Sequence, residues 1–348
     1  MINSGILSAV GNTPLIELQR ALPNLHFRLF AKLEALNPGG SSKDRPALWI
    51  LREAMSSGRL REGNVVIESS SGNMGIGLAQ ACRVFGLRFI CVIDPKTAPQ
   101  NERLLRLYGA EIEMVNEPDP ASGEFLPARI ARVRELMEVN SGSFWPNQYA
   151  NLRNSEAHYD TTMREIAEAL HDRVDFLFCA TSTCGTITGC AEYVRDHDLG
   201  TRIVAVDAVG SRIFGCLSGN RLIPGFGAGF RPELCRPDLV DLCIHVSDLD
   251  CVSGCRRLLS SESLLAGGSS GGVFAAVERL RQEIPAGSWC VMILPDRGER
   301  YLETIYSDEW VCRNLGLGSC LGLDQIPVPR ISGSGSDESW YGEGRMLS

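Results

Sequence analysis

The stretch NPGGSSKDRPALW (Asn37–Trp49) presents one lysine, Lys43, between Ser42 and Asp44, where a polar, glycine-bearing segment gives way to a helix-forming one. A lysine so placed has three chemical readings: a solvated charge, a phosphate ligand or a nucleophilic amine. Taken alone, the first is the commonest. Ser41 or Ser42 can cap the helix that follows, and Asp44 near its start suits the helix dipole. The stretch does not match the nucleotide loop G-x-x-x-x-G-K-[ST], because the lysine precedes Asp44, and this disfavours ATP.

Three further turns carry hydroxyls and glycines where a helix begins. ESSSGNMGIGLA (Glu68–Ala79) would offer successive N–H donors from Ser70, Ser71, Gly72, Asn73 and Met74, a site of carboxylate or phosphate size. Its glycines have the wrong spacing for a dinucleotide fingerprint. ATSTCGTITG (Ala180–Gly189) sets Ser182, Thr183, Cys184, Gly185 and Thr186 at a helix entrance. With no lysine in it, that turn suits a dianion held by neutral donors and the helix dipole. LLAGGSSGGVFAA (Leu264–Ala275) is another serine–glycine turn, with Ser269 in it.

The elements that must position these turns are legible as apolar runs. NVVIES, RFICVID, AEIEMVN, VDFLFCA, RIVAVDA and WCVMILP read as strands, several of them unalternating and so buried on both faces. Helix-period segments such as IGLAQACRVFG and APQNERLLRLYG lie between them. Strand–helix–strand repetition implies parallel sheets with helices on both faces. Two such blocks, separated by the polar region near Trp145–Asn154, give two α/β lobes with a cleft between them. The Gly- and Ser-rich stretch over 316–348 reads as a flexible tail.

At 348 residues the chain can bury two cores. A net charge of -8 with no compensating basic face argues against nucleic acid. No apolar run approaches the ~20 residues needed to span a bilayer, and no secretory signal is read, so a cytoplasmic protein is expected. Thirteen cysteines sit singly, mostly in apolar runs, with no Cys-x-x-Cys spacing. Buried free thiols are expected rather than a metal site, and Cys251 and Cys255 come closest to a pair.

One lysine with a lysine-free phosphate cup and a third turn forms a chemically coherent set. A phosphate-bearing aldehyde cofactor needs an amine to condense with, a cup, and a partner for its pyridine nitrogen. From GNTPLIEL near the N-terminus to LPDRGERYLETIY the sequence resembles the fold-type II pyridoxal-phosphate enzymes of the cysteine synthase family. NPGGSSKDRPA resembles the family's lysine motif, SSGNMGIGLA its asparagine loop, TSTCGTITG its phosphate cup, and IPGFGAGF a further shared motif. The resemblance implies two α/β/α domains of the tryptophan synthase β-like type with the site in the cleft. It implies a smaller, mobile domain over 1–12 and 35–145, and a larger one binding the cofactor phosphate over 13–34 and 146–315. It also implies pyridoxal 5'-phosphate as cofactor, no metal, amino-acid substrates and a homodimer.

Carried over residue by residue, Lys43 is the lysine that holds the cofactor and moves protons, and Asn73 bonds the ring hydroxyl. Ser182, Thr183, Cys184, Gly185 and Thr186 form the cup, and Ser269 faces the pyridine nitrogen. A neutral serine there makes the ring a weaker electron sink, favouring β-elimination and replacement over transamination. Ser70, Ser71, Gly72, Asn73, Met74 and Gln148 receive the substrate's α-carboxylate. The departures Ser182-Thr183-Cys184-Gly185-Thr186, Asn147-Gln148-Tyr149 and LPDRGERYL, with Arg129 in LPARIARVRELM, resemble one branch of the family. That branch makes 2,3-diaminopropionate precursors for siderophores and peptide antibiotics from O-phospho-L-serine and L-glutamate. A leaving phosphate dianion benefits from an arginine and hydroxyl donors, which Arg129, Tyr149 and Ser182 can supply. The alternative is cysteine synthase, using O-acetylserine or O-phosphoserine with sulfide.

Overall fold

A computed structural model of the chain describes residues 5–215 and 217–315, so the expected tail lies outside the described residues. The chain opens with β1 (Leu15–Glu17) and β2 (Arg28–Leu33), then α1 (Asp44–Ser56). A first run follows: β3 (Val65–Ser69), α2 (Asn73–Phe85), β4 (Arg88–Ile93), α3 (Pro99–Leu107), β5 (Glu111–Met114) and α4 (Phe125–Val139). Next, α5 (Arg153–Ala157) passes through a π-helical turn, His158–Met163, into α6 (Arg164–Leu170). The second run is β6 (Phe176–Ala180), α7 (Gly185–Asp196), β7 (Arg202–Ala208), β8 (Leu242–Val246), α8 (Asp248–Glu262), α9 (Gly268–Leu280), β9 (Trp289–Leu294) and α10 (Asp308–Leu315).

These strands form two sheets. One has six strands in the order β1-β2-β9-β6-β7-β8, all parallel except the β1–β2 pair. The other is parallel, in the order β3-β4-β5, and Phe144 extends it beside Val66 of β3. Period-2 alternation sends side chains of one strand into two different cores. Phe178, Val206 and Met292 meet Phe274 and Val277 of α9 on one face of the large sheet. Leu177, Ala205 and Val291 meet Ile187 and Val194 of α7 on the other. Covering both faces is why β6, β7 and β9 read as continuous apolar runs. Helices α1 and α2 cover one face of the small sheet, with Leu51, Ile76 and Phe89 in that core, while Val133 of α4 packs with Ile67 and Val92 on the other.

Buried thiols line these cores: Cys82, Cys91, Cys179 and Cys290 are free, and burial pushes the Cys91 thiol up to about 12. Cys312, by contrast, is disulfide-bonded, which departs from the expectation of free thiols throughout.

A buried ionic network ties the N-terminal segment to both runs. The Arg45 guanidinium, fully buried, bonds Glu34 at 2.7 Å and Glu165 at 2.6 Å, and Lys32 bonds Glu165 at 2.7 Å. The Thr13 hydroxyl donates to Glu34 at 2.7 Å, and the Thr13 carbonyl accepts from Lys32. Burial alone would raise the Glu34 carboxyl, but the Arg45 charge and its hydrogen bonds hold it below the usual carboxylate range. Arg45 lies two residues beyond Lys43, so the network fixes the start of α1 and the loop in front of it.

Candidate active site

In parallel α/β sheets ligands bind beyond the carboxyl ends of the strands, and there the lysine loop follows β2, the asparagine loop follows β3 and the cup follows β6. The lysine loop is fastened there by the segment that leaves β9. Ser42 donates its N–H to Pro295, and Ser41 pairs with Asp296 as an isolated bridge. The same segment holds the entrance to α9, through Ala266 paired with Arg297 and the Gly267 N–H donated to Asp296. Residues 295–298 therefore act as one splint under both Lys43 and Ser269.

Lys43 is half-buried, and its amine bonds the Ser42 hydroxyl at 3.3 Å. Burial lowers its pKa, with Cys179 at the end of β6, Asp296 and Glu34 opposing the shift. A lowered pKa favours the neutral, nucleophilic amine over the ammonium. Asn73, first residue of α2, donates to the Asp296 carboxylate at 2.8 Å and accepts from Arg300. Tyr301 donates to the same carboxylate at 2.6 Å. Burial raises the Asp296 carboxyl, and these bonds, with Arg300 and Lys43, oppose that. Asn73 keeps one amide N–H for another acceptor.

The cup follows β6 directly. Cys184 has φ +65, a left-handed residue at the head of α7, which is the backbone geometry of an anion nest. The Gly185 site has no room for a side chain, since an added Cβ would lie 2.1 Å from Asn154 Oδ1. Thr183 accepts from Asn154 at 3.3 Å, and the Thr186 hydroxyl meets His158 Nε2 at 3.1 Å. His158 is buried on the π-helical turn, and burial, Lys43 and Arg45 all hold its pKa well below the usual value. It is neutral, so the cup has no side-chain cation of its own. Ser269 is half-buried at the start of α9, and the neighbouring Ser270 hydroxyl is buried without a hydrogen-bond partner.

The asparagine loop caps α2. Ser70 accepts from the Gly75 N–H at 2.9 Å, the Ser71 carbonyl accepts from Asn101, and Gly72 is the residue before the helix. The Met74 side chain points into the core of the small sheet, so only its backbone faces this loop's chemistry. The Gln148 amide donates to the Ser69 carbonyl at 3.2 Å, joining this loop to the second run. Glu68 beneath it is buried and accepts from Trp145 at 3.1 Å and from the Gln148 N–H at 3.2 Å. Burial pushes its carboxyl up to about 7.

Arg129 of α4 points to the same place. It is largely buried and lies 3.3 Å from Asp94, yet its Nε and Nη1 make no hydrogen bond. Its charge opposes the burial-driven rise of the Tyr149 phenol, and so does that of Arg221. Tyr149 packs on Phe230, centroids 5.2 Å apart. Three participants were not singled out from sequence: Asp296, His158 and Arg221. Asp296 lay in a motif noted only as a departure; the other two carry no local signal.

The donor set fits a pyridoxal phosphate. A lysine with a depressed pKa sits beside a lysine-free nest at a helix N-terminus, with hydroxyls of Thr183, Thr186 and Ser269 around it. Among the described residues no cluster of three metal-ligating side chains occurs, and no helix is long and apolar enough to cross a membrane.

Comparison with known proteins agrees. Residues 6–296 match the family described as pyridoxal-phosphate dependent enzyme, and the chain belongs to it. Its cofactor is therefore pyridoxal phosphate. The chain is 48% identical over 314 residues to the N-(2-amino-2-carboxyethyl)-L-glutamate synthase of Ralstonia nicotianae, covering 90% of this chain and 92% of the relative. Among solved structures it is similar to O-ureido-L-serine synthase, with TM-score 0.83 and 29% identity over 92% of this chain and 98% of that one. It is also similar to the O-acetylserine dependent cystathionine beta-synthase from Helicobacter pylori, with TM-score 0.82 and 31% identity over 88% of this chain and 100% of that one.

Proposed function

We propose that the protein is a β-replacement enzyme that joins O-phospho-L-serine to L-glutamate, giving N-(2-amino-2-carboxyethyl)-L-glutamate and phosphate. The single observation that carries the choice of donor is the Arg129 guanidinium, buried beside Tyr149 with two nitrogens lacking hydrogen-bond partners. Buried polar groups are almost always satisfied, so guanidinium nitrogens left unbonded, on a group paired in the chain only with Asp94, mark the place of an anionic ligand. The name of the 48% identical relative supports the acceptor.

In this reading Lys43 holds the cofactor's aldehyde carbon, the cup from Ser182 to Thr186 holds its phosphate, and Asn73 and Ser269 address its ring. When bound, the cofactor withdraws electrons from Cα, which makes both Cα–H and Cβ–O cleavage accessible. Ser70, Ser71, Gln148 and the backbone of Gly72 and Met74 orient the α-carboxylate. The Lys43 amine would act as general base toward the substrate's Cα proton. Arg129, Tyr149 and Ser182 receive the departing phosphate. After glutamate's nitrogen bonds Cβ, Lys43 returns a proton to Cα.

The same reading takes the domains as 1–12 with 35–145, smaller and mobile, and 13–34 with 146–315. The separate sheets support that division. It includes a cytoplasmic homodimer supplying 2,3-diaminopropionate for siderophores or antibiotics. Mass spectrometry of products from O-phosphoserine offered glutamate, sulfide and other amines tests it. A glutamate adduct is expected; cysteine from sulfide without that adduct would assign the chain to the cysteine synthases. Lys43→Ala should abolish turnover and the visible absorbance of the lysine-bound cofactor, and a variant retaining both would end this account.

A further inference from the structure

Arg221 lies in the segment between β7 and β8, and no role was assigned to it from sequence. Its Nη1 is buried without a hydrogen-bond partner, and it forms no ion pair within 4.0 Å among the described residues. The nearby Asp248 carboxylate, whose pKa burial raises and Arg221 pulls back, accepts instead from the Leu222 N–H at 3.1 Å. Two residues on, Ile223 lies against Gly268 at the α9 entrance beside Ser269, where an added Cβ would come within 2.6 Å of it, and the charges of Arg221 and Arg129 both reach the Tyr149 phenol, each with a buried N–H left over.

Two guanidinium groups with buried, unbonded N–H groups near one tyrosine exceed what a single leaving group requires. Resting on the reaction given above, we propose that Arg221 is a specificity-determining residue that receives one carboxylate of the acceptor L-glutamate. The reaction fills the site twice. A phosphate dianion occupies it first, held by Arg129, Tyr149 and Ser182. When phosphate leaves, Arg129 keeps only its ion pair with Asp94. The incoming acceptor carries two carboxylates separated by a carbon chain, too far apart for one guanidinium to hold both in a fork. Arg129 takes one and Arg221 the other, so charge in the site is conserved between the two half-reactions. Sulfide has no carboxylate and gains nothing from Arg221, so the residue separates this chemistry from cysteine synthesis.

The test uses the holoenzyme and the variants Arg221→Met and Arg221→Lys. Losing one charge-assisted contact should lower kcat/KM for glutamate about 30-fold in Arg221→Met, with Arg221→Lys intermediate. Phosphate release from O-phosphoserine with sulfide as acceptor should stay within about threefold of wild type. The preference for glutamate over glutamine should narrow correspondingly. Equal losses with glutamate and sulfide, or an unchanged glutamate-to-glutamine ratio, would overturn the assignment of Arg221 while leaving the reaction itself intact. A wild-type enzyme that forms no glutamate adduct would instead remove the reaction, and this inference with it. Retained visible absorbance of the bound cofactor shows that each variant is folded.

Discussion

Arg45 and Arg129 are both buried arginines on helices that flank the small sheet, and they differ in what they bond. Arg45 donates from every guanidinium nitrogen, to Glu34, Glu165 and Thr13. Arg129 approaches Asp94 at 3.3 Å and leaves Nε and Nη1 without a hydrogen bond. The carboxylates around Arg45 are pulled down despite burial, whereas Glu68 beside Arg129 stays raised. A buried charge with every nitrogen bonded within the chain serves the fold; one with buried nitrogens left unbonded is held for a ligand.

The widest separation between the two should appear in stability. Breaking a buried pair by removing one partner costs about 3–5 kcal/mol, so Glu34→Ala should lose that much in urea unfolding of the holoenzyme. Arg129→Met removes one 3.3 Å ion pair, to Asp94, and no hydrogen bond, so it should cost less, about 1–2 kcal/mol. A small loss in Glu34→Ala would break the comparison at its strong end. In activity the order reverses. Arg129→Met should lower kcat/KM with O-phosphoserine about 100-fold and with O-acetylserine only about threefold. Equal losses with both donors would argue that Arg129 does not read the phosphate.

A smaller effect sharpens the same contrast without turnover. Inorganic phosphate at ten times its Kd should stabilise the wild-type holoenzyme by about 1.4 kcal/mol, read as a rise in Tm. The rise should disappear in Arg129→Met and persist in Lys32→Met, whose target is the paired network. Stabilisation that survives Arg129→Met would place the phosphate elsewhere.

The paired and unpaired clusters also differ in how much a sequence reveals of them. Strands β3 to β7 and β9 were legible because burial on both faces or local alternation leaves a mark in the run itself. Strands β1, β2 and β8 were not picked out. RLFAKL of β2 carries the buried Lys32, whose partner Glu165 is 133 residues away. LCIHV of β8 is half-buried at the sheet edge. The glycine–serine turns announce themselves, because a helix entrance with hydroxyls is a local signal. What joins the turns is not local: Asn73 meets Asp296 across 223 residues, and Thr186 meets His158 from another helix. Arg129 was legible only by resemblance, and Arg221 not at all, since an orphaned nitrogen is a property of packing and not of spacing.

The pH dependence that Glu68 confers tests whether Arg129's charge is spent inside the protein. Burial raises the Glu68 carboxyl to about 7, against bonds from Trp145, Ser69 and Gln148 and the charge of Arg129. An unfolded glutamate has its ordinary value of 4.5. Between the two the folded state holds a proton that the unfolded state has released, so this stability is present below 4.5 and falls as pH rises toward 7. Asp44, also raised to about 7, slopes the same way, so the comparison must be made between variants. From pH 5 to 7.5 wild type should lose about 1–3 kcal/mol relative to Glu68→Gln, which is neutral throughout. In Arg129→Met one of the forces opposing the shift is gone, so the fall should extend to higher pH. Superimposable pH curves for wild type and Arg129→Met would show that Arg129 gives Glu68 nothing. Their separation would measure how much of its charge the chain already uses before any anion arrives.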